Sequence, residues 1–317
     1  MKNGIQTQFA GTLAVTGAQY PYQYRTMSVQ HLSELQEDIE RLRRAGQISD
    51  AETFQGYLSE MKFVLPENFP EAQTVLIVAI ATPPLLAHFQ FDGRRYPASM
   101  PPNYYQPAFT RAMMIAELQK RVIRESGYRV EGVETYHLKL LATRSGLGRY
   151  GRNNICYVAG MGSFLNLRAY LTDYHFPEDH WQEVQMLDQC QHCQVCQKQC
   201  PGGAIRADHF VIDVKRCLPL YNEIEGILPD WIPPEAHNAI FGCMKCQAPC
   251  PANREAMQRV EAVEDVTEEE TWQFVNGHPD ERILLSVSQK LKIPYLVESP
   301  ETAEVIARNL KALLQVM

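Results

Sequence analysis

Long apolar runs are missing from this 317-residue chain, and nothing in it reaches the ~20 consecutive apolar residues that a helix needs to cross a bilayer. A single lysine and no twin arginine precede the mildly apolar stretch Phe9 to Ala18, so neither a signal peptide nor a membrane partner is expected. An excess of basic residues is missing too. The 30 Lys and Arg stand against 37 Asp and Glu, a net charge of −7, which argues against a nucleic-acid binder held mainly by its overall charge. Nor is there a low-complexity segment, a charged tail, a Rossmann fingerprint or a Walker loop. With 45% hydrophobic and 21% charged residues, the composition is that of an ordinary globular protein, long enough for one large domain or two smaller ones.

Stray cysteines are scarce in the same way. Of nine, only Cys156 stands alone in an apolar setting, Ile155-Cys156-Tyr157-Val158, and reads as a small buried residue. The other eight are spaced. Cys190-Gln191-His192-Cys193-Gln194-Val195-Cys196-Gln197-Lys198-Gln199-Cys200-Pro201 has the C-x2-C-x2-C-x3-C-P order of bacterial ferredoxins, in which three thiolates hold one 4Fe-4S cube and the fourth reaches its neighbour. After Cys217, Cys243-Met244-Lys245-Cys246-Gln247-Ala248-Pro249-Cys250-Pro251 repeats the ending. The crossing rule therefore assigns Cys190, Cys193, Cys196 and Cys250 to one cluster, and Cys200, Cys217, Cys243 and Cys246 to the other. Zinc is the competing reading, but zinc sites rarely use eight cysteines in two runs that each end in Cys-Pro. Thiols at this spacing imply a reducing cytoplasm.

Ahead of the cysteines, helix and strand signals alternate. Residues 1–27 show no clear period and read as an irregular arm. Ser28 opens a helix to about Arg44, with Leu32, Leu35, Ile39 and Leu42 at helical spacing and Gly46 beyond it; Ser49 and Asp50 open a second, with Phe54, Tyr57 and Met61 along one side. Thr74 to Ala81 is short, apolar throughout and β-branched, the pattern of a strand buried on both faces. The proline- and tyrosine-rich stretch from Tyr96 to Pro107 reads as a long loop, a lid or binding loop. Phe109 to Ser126 predicts a helix, Tyr128 to Thr135 a strand, Leu138 to Thr143 a short helix, and Asn154 to Val158 and Leu165 to Thr172 two more strands. Arg144-Ser145-Gly146-Leu147-Gly148-Arg149-Tyr150-Gly151-Arg152-Asn153-Asn154 carries three glycines among arginines and asparagines, which suits a backbone passing close to a large polar ligand. Beyond Pro251, Thr267 predicts the cap of an acid-rich helix, and helices near Pro279 to Leu291 and Thr302 to Val316 follow.

In this order, Ser145 to Asn154, Gly162-Ser163-Phe164, Leu171-Thr172-Asp173, Cys190 to Ile205, Cys217 and Phe241-Gly242-Cys243 to Pro251 resemble the epoxyqueuosine reductase family, which is similar in its core to reductive dehalogenases. The resemblance spans roughly residues 70–255. It implies an α/β (α+β) fold: an N-terminal arm and helical hairpin over 1–66, a nitroreductase-like cobalamin-binding core over 67–185, a ferredoxin-like double-cluster module over 186–256 and a small C-terminal helical cap over 257–317. It implies two 4Fe-4S clusters feeding a base-off cobalamin without a protein axial ligand. Asp173-Tyr174-His175-Phe176-Pro177-Glu178 accords with that, because it lacks the glycine of the Asp-x-His-x-x-Gly ligand motif. The implied corrinoid contacts are Arg144, Ser145, Gly146, Leu147, Gly148, Tyr150, Gly151, Arg152, Asn153, Asn154, Ser163 and Phe164.

The family's catalytic aspartate, in a Val-Asp-Thr segment, corresponds to Glu134 in Gly132-Val133-Glu134-Thr135. A carboxyl partly shielded from water keeps its proton near neutral pH, which makes Glu134 the candidate acid, with Tyr136 and His137 as further donors. The implied partners are a low-potential electron donor of ferredoxin or flavodoxin type and a substrate that is a tRNA nucleoside or a small molecule. The C-terminal region is short and lacks the repeat helices that accompany tRNA binding, which keeps the second substrate class open. The alternatives are an electron carrier or activase for a partner corrinoid protein and a cytoplasmic reductive dehalogenase. The long mixed α/β stretch before the clusters favours an enzyme over a carrier.

Overall fold

A computed structural model describes residues 9–15 and 17–315 of the chain. Residues 1–8 of the expected arm and Val316 of the last expected helix lie outside the described residues. In chain order the principal elements are β1 (Phe9–Val15), β2 (Ala18–Ser28), α1 (Leu32–Arg44), α2 (Glu52–Glu60), β3 (Thr74–Ala81), β4 (Leu85–Phe91), β5 (Arg94–Met100), α3 (Arg111–Leu118), β6 (Val130–Val133) and α4 (Leu138–Arg144). They continue with β7 (Gly148–Tyr150), β8 (Cys156–Val158), β9 (Leu165–Thr172), α5 (Val195–Gln199), α6 (Pro219–Asn222), β10 (Glu261–Ala262), α7 (Glu268–Val275), α8 (Glu281–Leu291), α9 (Tyr295–Glu298) and α10 (Pro300–Leu314). The fold is mixed αβ, as expected. Two compact units divide it: Met1–Thr82, Ala108–Cys193 and His209–Val211 make the first, Pro83–Pro107, Gln194–Asp208 and Ile212–Met317 the second.

In the first unit five strands form one sheet in the order β1-β2-β3-β9-β6, with every neighbouring pair antiparallel. All eight residues of β3 are buried, and the two-residue period of a strand explains how. Val75, Ile77, Ala79 and Ala81 enter one apolar core with Leu35 and Ile39 of α1 and Leu140 and Leu141 of α4. Leu76, Val78 and Ile80 enter another with Met114 and Leu118 of α3. Each such Val, Leu or Ile side chain contributes about 1.5–3 kcal/mol by leaving water. At the N-terminus the structure corrects the expectation. Over the described residues 9–27 the arm is a β-hairpin whose second strand pairs with β3, Tyr22 opposite Ile80. Tyrosines hid the pattern: Tyr22 is fully buried, yet its hydroxyl donates to Glu117 Oε1 at 3.0 Å, so a residue that reads as polar occupies a core position. In the second expected helix, α2, no residue is buried, so its apolar side does not act as a packing face.

The second unit holds a second correction. The stretch expected as a loop contains the hairpin β4–β5, turned by Asp92-Gly93 with φ of +52° and +70°. A two-residue turn with both central residues left-handed matches the twist of its strands. Pro97 lies in β5, at the edge of the three-stranded sheet β10-β4-β5, where a missing N–H is tolerated. Leu85, Phe89 and Met100 of this hairpin share one core with Phe274 of α7, Ile283 and Leu291 of α8 and Ile306 and Leu310 of α10. Residues 83–107 therefore belong with the C-terminal helices rather than with 67–185, and those helices are half of a core rather than a separate cap. Thr267 caps α7 as expected, in a reciprocal box with Glu270. No helix among the described residues is long and apolar enough to cross a membrane.

Candidate functional site

The set Cys200, Cys217, Cys243 and Cys246 lies wholly within the second unit and converges there. Cys200 ends α5 ahead of Pro201, Cys217 ends a short 3-10 turn over Val214–Arg216, and Cys243 and Cys246 lie on the loop after Gly242. Burial pushes the Cys217 thiol well above its ordinary range, and the Cys246, Cys243 and Cys200 thiols push it further. Burial raises the Cys243 thiol as well, with Cys200 adding to it. Four sulfurs far apart in sequence thus share one electrostatic neighbourhood. Repulsion of this kind opposes four bare thiolates, whereas bound iron cations reverse its sign.

N–H groups are aimed at these sulfurs: Ala204 N donates to Cys200 Sγ at 3.2 Å and Asn238 Nδ2 to Cys243 Sγ at 3.4 Å, and the Lys245 backbone N–H also bonds Cys243. Gly202 explains how the Cys-Pro turn lies so close to the Cys217 turn, because a Cβ there would come within 1.8 Å of the Arg216 carbonyl oxygen. Partly buried thiols with donors directed at sulfur suit an iron-sulfur cluster. Among the described residues no three His, Cys, Asp or Glu side chains gather as a single-ion site.

Of the other set, Cys190 and Cys193 fall in the first unit, and Cys196 and Cys250 in the second. Cys190 sits in a 3-10 turn over Asp188–Gln191, and the Arg152 guanidinium donates to its carbonyl oxygen while Arg152 Nε is buried without a hydrogen-bond partner.

The glycine-rich segment folds as the small hairpin β7–β8, and packing accounts for most of it. A Cβ on Gly148 would lie 2.5 Å from Cys156 Sγ, and one on Gly151 2.6 Å from Asn153 Oδ1 and from the Tyr157 ring. Cys156 is a small buried residue, as expected, its thiol pushed up to about 12 by burial. Arg144 is 4% exposed and faces inward: its Nε lies 3.0 Å from Asp38 Oδ2, it donates to the Gln182 carbonyl at 3.0 Å, and it stacks 4.7 Å over Trp181. Ser145 Oγ donates to the Ala142 carbonyl, Leu147 lies in the core, and Gly146 takes φ +72° against Gln182. Tyr150 is buried edge-on to Phe210, and Asn153 donates to the Tyr157 hydroxyl at 2.9 Å. Asn154, left-handed at φ +58°, donates to the Phe210 carbonyl. Ser163 and Phe164 are buried, the Phe164 carbonyl accepting from Thr82 N. The residues expected to line a corrin are committed to contacts inside their own unit, so the geometry does not show a cradle built from them.

The proton-donor candidates separate in the same way. Glu134 is 63% exposed, ion-paired with Arg111 and 3.5 Å from Arg168, so the shielding expected for it is absent. Gly132 makes room for this pair, because a Cβ there would meet the Arg111 side chain at 2.8 Å. Tyr136 is buried and donates to the Val64 carbonyl at 3.0 Å, its hydroxyl pushed up to about 12 by burial. His137 caps α4, its Nδ1 accepting from Leu140 N at 3.2 Å, and burial lowers it to about 4, so the ring is neutral. The carboxyl with the property sought is one the sequence did not single out. Glu223, after α6, is raised to about 7 by burial while a hydrogen bond from Tyr104 opposes the rise. Nothing in Tyr221-Asn222-Glu223-Ile224-Glu225 distinguishes it from a surface charge.

Residues 189–253 match the model of a 4Fe-4S double cluster binding domain. The chain is 37% identical over 115 residues to epoxyqueuosine reductase from Yersinia pestis, a match that covers 36% of this chain and 27% of that protein. It thus spans under a third of the length of that curated relative. The solved epoxyqueuosine reductase from Bacillus subtilis, whose catalytic aspartate loop is swung out of its active site, superposes with a TM-score of 0.64 at 17% identity, covering 92% of this chain and 77% of that one. An epoxyqueuosine reductase solved with an epoxyqueuosine-modified tRNA-Tyr stem loop superposes with a TM-score of 0.62 at 16% identity, covering 92% and 76%. The chain thus shares the fold of solved epoxyqueuosine reductases and is similar to a curated one over 115 residues, and residues 189–253 belong to the 4Fe-4S double cluster binding domain.

Proposed function

We propose that the chain is an iron-sulfur reductase of the epoxyqueuosine reductase type. In this reading two 4Fe-4S clusters carry electrons from a low-potential ferredoxin or flavodoxin towards cobalamin, and the substrate loses an oxygen. The observation that carries the proposal is the convergence of Cys200, Cys217, Cys243 and Cys246, with N–H donors on their sulfurs. Cys190, Cys193, Cys196 and Cys250 are proposed as ligands of the first cluster, beside the positive charge of Arg152. Cobalamin rests on the family resemblance, and when bound it would supply a redox-active cobalt centre. The contacts of Arg144 to Asn154 are internal, so no step is assigned to those side chains.

A tRNA nucleoside is the first substrate to test, because one relative of this fold is solved with such a stem loop. A small molecule is the second reading, and the net charge of −7 favours it. The test begins with anaerobic reconstitution with iron, sulfide and hydroxocobalamin, followed by metal counts. About eight irons with retained cobalt support the reductase. Irons without cobalt move the assignment to an electron carrier, and a chain that binds no iron overturns it. Binding to a tRNA stem loop that weakens steeply with salt identifies RNA as the substrate; no binding identifies a small molecule.

A further inference from the structure

We infer that Asn238 raises the reduction potential of the cluster held by Cys200, Cys217, Cys243 and Cys246, through its side-chain N–H on the Cys243 sulfur. The inference rests on the double-cluster reading above. Asn238 Nδ2 donates to Cys243 Sγ at 3.4 Å and to the Ala236 carbonyl at 2.9 Å, while its Oδ1 accepts from Met244 N at 2.8 Å. The backbone of the same residue is tied down as well, its carbonyl accepting from Ser99 N at 3.0 Å. This network fixes which way the amide faces. Turned over, it would set its oxygen against the Ala236 carbonyl and its nitrogen against the Met244 N–H, so the donor must face the sulfur.

Reduction adds one electron to the cluster, supplied by the low-potential donor, and part of the added negative charge resides on the sulfurs. An N–H dipole aimed at sulfur stabilises the reduced state more than the oxidised one, which raises the potential. Ala204 N on Cys200 Sγ and Lys245 N on the Cys243 thiol are, by contrast, backbone groups. Asn238 differs because it is a side chain that the sequence can change, and it stands five residues ahead of the ligand it touches. It is a positioning and tuning residue, and it leaves the ligand set unaltered.

The whole chain, reconstituted with iron and sulfide, is titrated with dithionite and followed by electron paramagnetic resonance. Asn238→Asp keeps an acceptor for Met244 N but removes the donor and adds a charge, and Asn238→Ala removes both ends of the bridge. In N238D one cluster signal should shift to lower potential by on the order of tenfold in its reduced-to-oxidised ratio, ~59 mV for one electron, with the second signal unmoved and the iron count retained. N238A should shift the same signal in the same direction by less. Retained irons with both signals unmoved overturn the inference, as does iron falling to about four in both variants with the surviving signal unchanged, the mark of a purely structural residue. A wild-type chain without iron fails the cluster reading itself, which is a separate result from either.

Discussion

Two short motifs stood out in the sequence, and the structure treats them differently. The cysteines of the second unit come together from three separate stretches of chain, with N–H groups aimed at their sulfurs. The glycine-rich segment of the first unit turns inward, its glycines making room for Cys156, Asn153 and Tyr157 and its arginine seated against Asp38 and Trp181. The difference lies in how many causes a residue type can have. Four thiolates at ferredoxin spacing have few uses other than metal. A glycine is required wherever two pieces of backbone or a large side chain approach closely, whether or not a ligand is present.

The sharpest break between the two regions comes from Cys217. It is the one ligand outside both runs, and Cys217→Ser should lower the iron count of the reconstituted chain from about eight to about four while the other cluster survives. Loss of all iron from a folded protein would refute the pairing by the crossing rule. Next in size is Arg144, on the glycine-rich side. It is 4% exposed and Asp38 is 8% exposed, so Arg144→Met leaves a buried carboxylate that burial already pushes upward. Such a break costs about 3–5 kcal/mol, here nearer the lower figure because the mostly exposed Arg41 remains 3.4 Å from Asp38. Chemical denaturation measures the loss, and Arg144→Met with Asp38→Leu should recover most of it. Cobalt retained on reconstitution with hydroxocobalamin should stay the same in both variants, which distinguishes a packing role from a corrinoid contact.

Legibility follows the same division. β3 could be read to the residue because a short, β-branched apolar run that ends just before Pro83 favours a buried strand over a helix, and β9 occupies the span expected for it. The hairpin β4–β5 was missed although Asp92-Gly93 is a strong two-residue turn signal, since Pro97 and the tyrosines after it weighed towards a loop. β2 was missed because buried tyrosines with bonded hydroxyls do not alternate in a hydropathy pattern. Asn238 and Glu223 left no mark in the sequence at all. Their properties arise from neighbours distant along the chain, Cys243 with Met244 in one case and Tyr104 in the other.

His137 offers a smaller and pH-dependent test of the first unit. Its folded-state value of about 4 lies below the ordinary 6.5, so the folded protein binds the proton less readily than the unfolded chain. The contribution is intact above pH 6.5, falls as the pH drops below it, and is lost by about pH 4. The difference of about 2.5 units corresponds to at most about 3 kcal/mol. His137→Asn keeps an acceptor for Leu140 N at the start of α4 but cannot titrate. The variant should therefore flatten the stability profile between pH 4 and 6.5 and match the wild type at pH 7.5. An unchanged acid slope would assign the sensitivity to another group.

The smallest effect is expected at Glu134, and it bears most directly on the comparison. An exposed pair between Glu134 and the half-exposed Arg111 and Arg168 contributes at most about 1 kcal/mol, so Glu134→Gln should change stability by less than that. Turnover responds differently. A proton delivered by a positioned acid accounts for about 10²–10⁴ in rate, and the carboxyl here is open to water and held by two guanidinium groups rather than shielded. If that arrangement persists in the working protein, Glu134→Gln turns over within a few-fold of wild type. A loss of a hundredfold or more with clusters intact would mean that this segment changes its surroundings when substrate binds, and that the first unit carries chemistry its glycines alone do not reveal.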